Sequence, residues 1–325
     1  MTQSRDGREP SNRPQGSMTA PHGAWEPIVV ERPIYEFEPK FGKNGIYVAD
    51  TVVDGWSSRS FILRAACVRG YAHRFNGMPR QDQFSLTEFE ENGSIVVAVA
   101  DGVSASPLSS VGATLACRSA IDWCKRRASE EAVCLDQDWN WDVDIWRQLL
   151  RNAAWGLIDY AHTNLNAPKD ALEVERILGT TLTVAVLTPK SDGTANLVAT
   201  QIGDSDIWVM RGREYHAVTP HARSLDNESL DIASTAIAAL PRLPAQVEPM
   251  QMQLLPGDVL LVGSDGFGSA LGDGSGSIGK IFANLLANIP RPLELAHTLD
   301  FSRELFDDDR TLIALWIKPS LGEGV

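Results

Sequence analysis

Apolar positions first recur as short continuous or alternating runs at Phe61–Val68 and Ser94–Ala100, and then at helical spacing over Leu108–Arg126 and Asp144–Asn164. The second half is denser in short runs: Thr180–Leu187, Ala195–Ile202, Asp206–Arg211, Asp258–Gly263 and Thr311–Lys318 read as strands, with helical stretches near Ile281–Asn288 and Pro292–Leu305. Strands joined by short turns favour antiparallel pairing, and helices inserted at only two places can cover the outer faces of two sheets. The predicted fold class is therefore α+β, two stacked antiparallel β-sheets flanked by helices, and not a doubly wound parallel sheet. No internal repeat is apparent.

The N-terminal region has a different character. Residues 1–25 are rich in Pro, Gly, Ser, Arg and Asn and offer too little apolar surface to offset the entropy of ordering, so a disordered tail is expected. Residues 26–55 carry short β-prone runs broken by proline, which predicts an extended arm packing on the domain that occupies residues 56–320.

With 43% hydrophobic and 22% charged residues, the chain has an ordinary globular mix. Its net charge of −13 argues against nucleic acid and anionic membrane as partners, since both call for a basic surface. No apolar stretch approaches the roughly 18 residues of a membrane span, and the N-terminus lacks an apolar secretory segment, so a cytoplasmic location is expected. Cys67, Cys117, Cys124 and Cys134 form no C-x-x-C pair, which supports neither a zinc site nor a disulfide framework. None is followed six positions later by arginine, so the phosphate-cradling loop of cysteine phosphatases is absent.

Candidate chemistry lies in aspartates at the ends of apolar strands. SIVVAVADG and GDVLLVGSDG run from strand into Asp101-Gly102 and Asp265-Gly266, Asp307, Asp308 and Asp309 precede the last strand, and Gln81-Asp82 precede another. A tight hairpin turn is the alternative for any one Asp-Gly, but the sequence after Asp101 continues as a Ser/Pro-capped helix. Carboxylates gathered at strand ends repel one another unless a cation neutralises them. Oxygen donors with no neighbouring His or Cys specify a hard ion, Mg²⁺ or Mn²⁺.

Other motifs carry less. GSGSIGK (274–280) imitates a phosphate-binding loop, but Ile281 stands where the loop needs Ser or Thr, and nine residues separate it from the preceding strand. A surface turn is expected there. The six histidines show no metal-binding spacing, with His162 and His297 read as packing or surface residues, and Trp139, Trp141 and Trp146 read as packing.

The segments GYAHRFNGMPRQD (70–82), VAVADGVSASPLSSVGATLA (97–116), LGTTLTVAVL (178–187), TQIGDSDIWVMR (200–211), LPGDVLLVGSDGFG (255–268) and DDDRTLIAL (307–315) occur in the order seen in one family. Over about residues 60–318 the chain resembles the metal-dependent protein phosphatases, the type 2C serine/threonine phosphatases, and most closely their bacterial branch. The resemblance implies an αββα sandwich with two Mn²⁺ or Mg²⁺ ions, and possibly a weak third, at one end.

Carried over by position, the resemblance makes Asp101 the bridge between two ions, with Gly102 offering its carbonyl and Asp265 and Asp308 completing a shell. It places Asp82 where it would orient a water, Gln81 where many members have a metal-binding Glu, and Asp204 where a third ion is held. Asp101 and Asp82 are the implied catalytic residues, acting on a hydroxide bridged by the two ions. Asp307 and Asp309 are expected to be solvated or capping.

Three positions depart from the pattern: Gly77 stands in place of the phosphate-clamping arginine, Gln81 in place of Glu, and Val103 in place of a histidine proposed as general acid in eukaryotic members. His73, Arg74 and Arg80 are the nearby candidates to hold phosphate instead. The implied function is hydrolysis of phosphoserine and phosphothreonine in proteins, in signalling, with a cognate Ser/Thr kinase as partner. A catalytically weak pseudophosphatase acting as a regulatory binding module is the alternative, and a nucleotide-binding role for residues 274–280 is the least supported.

Overall fold

The computed structural model describes residues 26–35, 37–42, 47–130, 141–219 and 238–318, so the expected tail at 1–25, Trp139 and Cys134 lie outside the described residues. The elements run β1 (Thr51–Ser57), β2 (Phe61–Val68), α1 (Tyr71–Asn76), β3 (Gln83–Phe89), β4 (Ser94–Ala100), α2 (Ser109–Glu130), α3 (Val143–Leu165) and α4 (Ala171–Leu178). They continue as β5 (Leu182–Pro189), β6 (Ala195–Ile202), β7 (Asp206–Arg211), β8 (Glu214–Ala217), β9 (Met250–Leu254), β10 (Val259–Gly263), α5 (Asp265–Leu271), α6 (Ser277–Leu286), α7 (Pro292–Leu299) and β11 (Arg310–Ile317). A six-stranded sheet in the order β1-β2-β11-β10-β7-β8 faces a five-stranded sheet in the order β3-β4-β5-β6-β9, and the pairings are antiparallel.

The period of two in the strands sorts their side chains into separate cores. From β4, Ile95, Val97 and Val99 point between the sheets, while Val96, Ala98 and Ala100 point outward under α2 and α3. From β2, Leu63, Ala65 and Cys67 join the inner core, and Ala66 and Val68 pack outward with Phe267, Phe282 and Leu295 of α5, α6 and α7. A strand covered on both faces needs no polar alternation, which is why SIVVAVA reads as an unbroken apolar run.

Local signals set the helix ends. Asp142 accepts a hydrogen bond from the Ile145 N–H at the start of α3, and Asp170 does the same from Glu173 for α4. The stretch expected as a helix over Ile281–Asn288 instead begins at Ser277, inside GSGSIGK. Its glycines serve packing: a Cβ on Gly279 would lie 1.9 Å from the Gly274 carbonyl oxygen, and one on Gly274 would meet the Tyr215 ring at 2.3 Å. The helix expected over Pro292–Leu305 ends at Leu299, after which the chain meets the N-terminal segment, the Val30 N–H donating to the Ser302 carbonyl at 2.9 Å. Residues 51–55 belong to β1, paired along β2. The short elements α1, α4, α5, β8 and β9 have no counterpart in the sequence reading.

One aromatic stack fixes α5, the helix that starts at Asp265. Phe267 is fully buried, with its ring edge-on to Trp208 at 5.8 Å and to Phe282 at 5.0 Å. Phe267→Ala should therefore cost about 3–5 kcal/mol of stability, read as a lower denaturant midpoint. An unchanged midpoint would show that α5 is held by other contacts.

Candidate metal centre

Antiparallel pairing puts the end of one strand beside the start of its neighbour, and here it does so repeatedly at one edge of the sandwich. Ala100 at the end of β4 opposes Gln83 at the start of β3, Gly263 at the end of β10 opposes Leu312 near the start of β11, and Ile202 of β6 opposes Leu182 of β5. The residues just beyond these positions are Asp101, Asp82, Ser264-Asp265, Asp308-Asp309, Gly203-Asp204 and Thr180-Thr181.

Asp101, Asp82, Asp265 and Asp308 converge there. The Asp101 carboxyl is held well above the ordinary carboxylate range by burial, reinforced by the charges of Asp82, Asp265 and Asp308, and it shares a hydrogen bond with Asp265. Burial, the neighbouring Asp309 and Asp308 push the Asp82 carboxyl up to about 8. Burial, then Asp309 and Asp265, push Asp308 up to about 6, against the pull of His73. Asp82 Oδ2 accepts from the Thr311 hydroxyl at 2.8 Å, while Asp82 Oδ1, Asp265 Oδ1 and Gln81 Oε1 are buried with no hydrogen-bond partner among the described residues.

The main chain around Asp101 is fixed by the two threonines that lead into β5. The Asp101 N–H donates to Thr181 Oγ1 at 2.9 Å, and the Asp101 carbonyl accepts from the Thr181 N–H at 2.7 Å and from Thr180 Oγ1 at 2.8 Å. Gly102 pairs with Thr180 as an isolated bridge, and a Cβ on it would lie 2.7 Å from the Ser109 Cβ, so only glycine lets the chain pass α2 here.

Several side chains differ from the expectations drawn from sequence. Asp309 is not solvated: it is 1% exposed, and Oδ1 accepts from the Gly70 N–H at 2.6 Å while Oδ2 accepts from the Gln81 N–H. His73 Nδ1 lies 2.9 Å from Asp309 Oδ1 and 3.9 Å from Asp308 Oδ1. Burial works against ionising His73, but the Asp309 carboxylate 2.9 Å away prevails, with Asp308 and Asp82 in support, and raises its pKa. Burial likewise opposes ionised Asp309, and the His73 contact with the Gln81 and Gly70 amides prevails to lower its pKa.

The expected phosphate contacts through Arg74 and Arg80 need correction, because both guanidiniums are committed elsewhere. Arg74 donates to Asp50 at 2.9 Å and to Asp300 at 2.7 Å. Arg80 is 1% exposed and turned into the protein. Of the three candidates, His73 alone stands beside the carboxylates. Gly77 caps α1 in the left-handed region at φ 68°, with its N–H donating to the His73 carbonyl. Asp204 lies at the end of β6 and is 9% exposed, and Gly203 before it approaches the Thr181 side chain, one strand away from Asp101.

These donors suit a hard divalent ion. Carboxylates that repel one another at a partly buried edge, together with carboxylate and amide oxygens unpartnered among the described residues, form the donor set that Mg²⁺ or Mn²⁺ prefers. Among the described residues, the group of three ligand atoms lying within 4.8 Å of one another is that of His73, Asp308 and Asp309, whereas Asp82, Asp101, Asp265 and Asp308 are linked by the action of their charges.

Residues 69–300 match the family profile described as Protein phosphatase 2C. Among solved structures, the S. agalactiae serine/threonine phosphatase matches at 17% identity and a TM-score of 0.53, over 79% of this chain and 100% of that one. The catalytic domain of the serine/threonine phosphatase PstP, solved with two manganese ions, matches at 17% identity and 0.51, over 80% and 99%. The Mycobacterium tuberculosis PstP/Ppp matches at 16% and 0.52, over 80% and 99%. At such identities the likeness is one of fold, and it agrees with the expected sandwich. A search of the curated proteins finds no match.

The raised carboxyl groups give a sign for the metal-free protein. A carboxyl whose folded pKa exceeds its unfolded value binds more protons in the native state, so its contribution is present at low pH and lost as pH rises through the folded value. Asp308 and Asp82 set that window from about 4 to about 8, and His73, also raised, acts in the same direction. The melting temperature of the EDTA-treated chain should therefore fall across this window, with added Mn²⁺ restoring most at the alkaline end. A melting temperature that rises with pH in EDTA would mean that the carboxylates do not confront one another.

Proposed function

This chain belongs to the protein phosphatase 2C family, and from that premise we propose that it hydrolyses phosphoserine and phosphothreonine in protein substrates at a centre for two Mn²⁺ or Mg²⁺ ions. The observation that carries the reading is the set of buried oxygens of Gln81, Asp82 and Asp265, unpartnered among the described residues, beside an Asp101 carboxyl whose pKa burial and neighbouring carboxylates raise. The solved relative PstP holds two manganese ions.

Asp101, Asp265, Asp308 and the Gly102 carbonyl would hold the ions, with Gln81 as an uncharged oxygen donor. When bound, such ions supply Lewis-acid charge and bring the pKa of water from 15.7 towards about 7. Asp82, fixed at Oδ2 by Thr311, keeps Oδ1 as an acceptor that can orient a water proton. His73, whose Nδ1 lies 2.9 Å from Asp309 Oδ1, would be the side chain that meets the phosphoryl group. Asp204 is assigned a peripheral role, at the position where a third ion would sit. A cognate kinase would generate the substrate. Among the described residues no helix is long and apolar enough to cross a membrane.

The direct test is phosphopeptide hydrolysis with Mn²⁺ and with EDTA. Mn²⁺-dependent turnover supports the reading. A folded chain that binds Mn²⁺ but never turns over would instead be a regulatory binding module. Asp101→Ala should abolish turnover while leaving the fold, because it removes the carboxylate on which the other three act. Residual turnover within about tenfold of wild type, less than the usual cost of losing a metal-supporting group, would sink the assignment.

Gln81 offers an oxygen without charge. A unit charge pair at about 4 Å in a partly solvated site is worth up to roughly 4 kcal/mol before desolvation. Gln81→Glu should thus lower the Mn²⁺ concentration giving half-maximal activity with little change in maximal rate. An unchanged or higher concentration would place Gln81 away from the ions.

A further inference from the structure

We infer that Arg80 is a positioning residue for this reaction, a buried cation that fixes the main chain of Asp82 behind the metal centre; the inference rests on the phosphatase reading above. Arg80 is 1% exposed, and among the described residues its hydrogen-bond partners are two backbone carbonyls and a thiol. Nε donates to the Ala49 carbonyl at 3.0 Å, and Nη1 reaches the Asp82 carbonyl at 2.5 Å and Cys67 Sγ at 2.6 Å. A guanidinium taken from water for neutral partners must be compensated by more distant charge. The carboxylates of Asp309 and Asp82 are close enough for their charge to act on it.

Arg80 completes a grip on one short segment. On one side Asp309 Oδ2 accepts from the Gln81 N–H and, at 3.4 Å, from the Asp82 N–H. On the other, Arg80 holds the carbonyl of the same Asp82 against β2, through Cys67, and against the segment before β1, through Ala49. Thr311 links the two, its hydroxyl lying 2.9 Å from Cys67 Sγ and 2.8 Å from Asp82 Oδ2. Both ends of the Asp82 main chain and one carboxylate oxygen are thereby fixed, and Oδ1 is left with one direction to face. Placement errors of about 1 Å in such a group cost up to about a hundredfold in rate, so the grip bears on chemistry as well as on stability.

The experiment uses the full chain with Arg80→Gln and Arg80→Lys, each alone and with Asp82→Ala. Mn²⁺ binding is titrated by calorimetry without substrate, and kcat and KM are measured on a phosphopeptide. Arg80→Gln should weaken Mn²⁺ binding about tenfold, the usual cost of losing a group that holds a metal site in place. It should also lower kcat with KM little changed, and Arg80→Lys should recover part of both losses. In the Asp82→Ala background, Arg80→Gln should add no more than about twofold, because its effect passes through Asp82.

Wild-type Mn²⁺ affinity and kcat in Arg80→Lys and Arg80→Gln would overturn the inference. So would a loss confined to KM, which would make Arg80 a phosphate contact, or a full additional loss in the Asp82→Ala background. If Arg80→Gln does not fold, Arg80→Lys decides: it must show the weaker Mn²⁺ binding and lower kcat for the inference to stand. A wild-type chain that binds no Mn²⁺ removes the phosphatase reading and this inference together, whereas indifferent Arg80 variants of a Mn²⁺-binding chain remove this inference alone.

Discussion

Asp82, Asp101, Asp265 and Asp308 come from four different strand ends and meet at one edge, where Asp82 is buried, Asp101 and Asp265 are half-buried and the Asp308 side chain is about half exposed, so their like charges are only partly screened. Each strand that stabilises the sandwich delivers one of them. A two-residue slip in the β3–β4 or β10–β11 register would keep every apolar side chain on its proper face yet move a carboxylate by about 7 Å along its strand. Core packing alone therefore does not fix the site. The polar bonds at the edge do, through Thr181 on Asp101 and Thr311 on Asp82.

The metal-free chain meets this repulsion in two ways. Part of it is eased because burial and mutual repulsion raise the pKa values of Asp101 and Asp82. Part is balanced by fixed groups behind it: His73 and two backbone amides on Asp309, and Arg80 against the Asp82 carbonyl. Asp265 also occupies the first turn of α5, where the helix dipole favours a negative side chain. An ion entering such a site displaces protons, so metal binding, pH and folding stability are linked.

The sandwich and the strand-end aspartates that gather at its edge were legible because both are local patterns. An apolar run ending in Asp-Gly is visible without knowing what lies across the sheet, and Asp101 and Asp265 announce themselves in that way. Asp309 does not, because its partners are 239 residues away at Gly70 and 228 away at Gln81. Sequence proximity misled for Arg80: it lies two residues before Asp82, but its side chain turns towards Cys67 and Ala49, inside the protein. Arg74 is drawn off by Asp50 and Asp300, and the latter is 226 residues distant. The short α1 lacks the length that makes helical periodicity readable, so the helix that brings His73 to Asp309 left no signal.

The missing phosphate-clamping arginine and the appearance of His73 are parts of one local rearrangement. Gly77 takes φ 68° to end α1, a region that costs a residue with a Cβ roughly 1–2 kcal/mol. An arginine restored at 77 would have to adopt that strained conformation, or else unwind the turn that sets His73 against Asp309. Under the proposed function, an imidazole held at Nδ1 by Asp309 would take the place of a forked, always charged guanidinium. Under the proposed function, recognition of the phosphoryl group then rests more on the bound cations than on bidentate geometry. In that case the charge and fit of Gln81 and Asp82 at the metal edge govern substrate affinity as well as rate, and the buried grip of Asp309 and Arg80 on those two residues influences both.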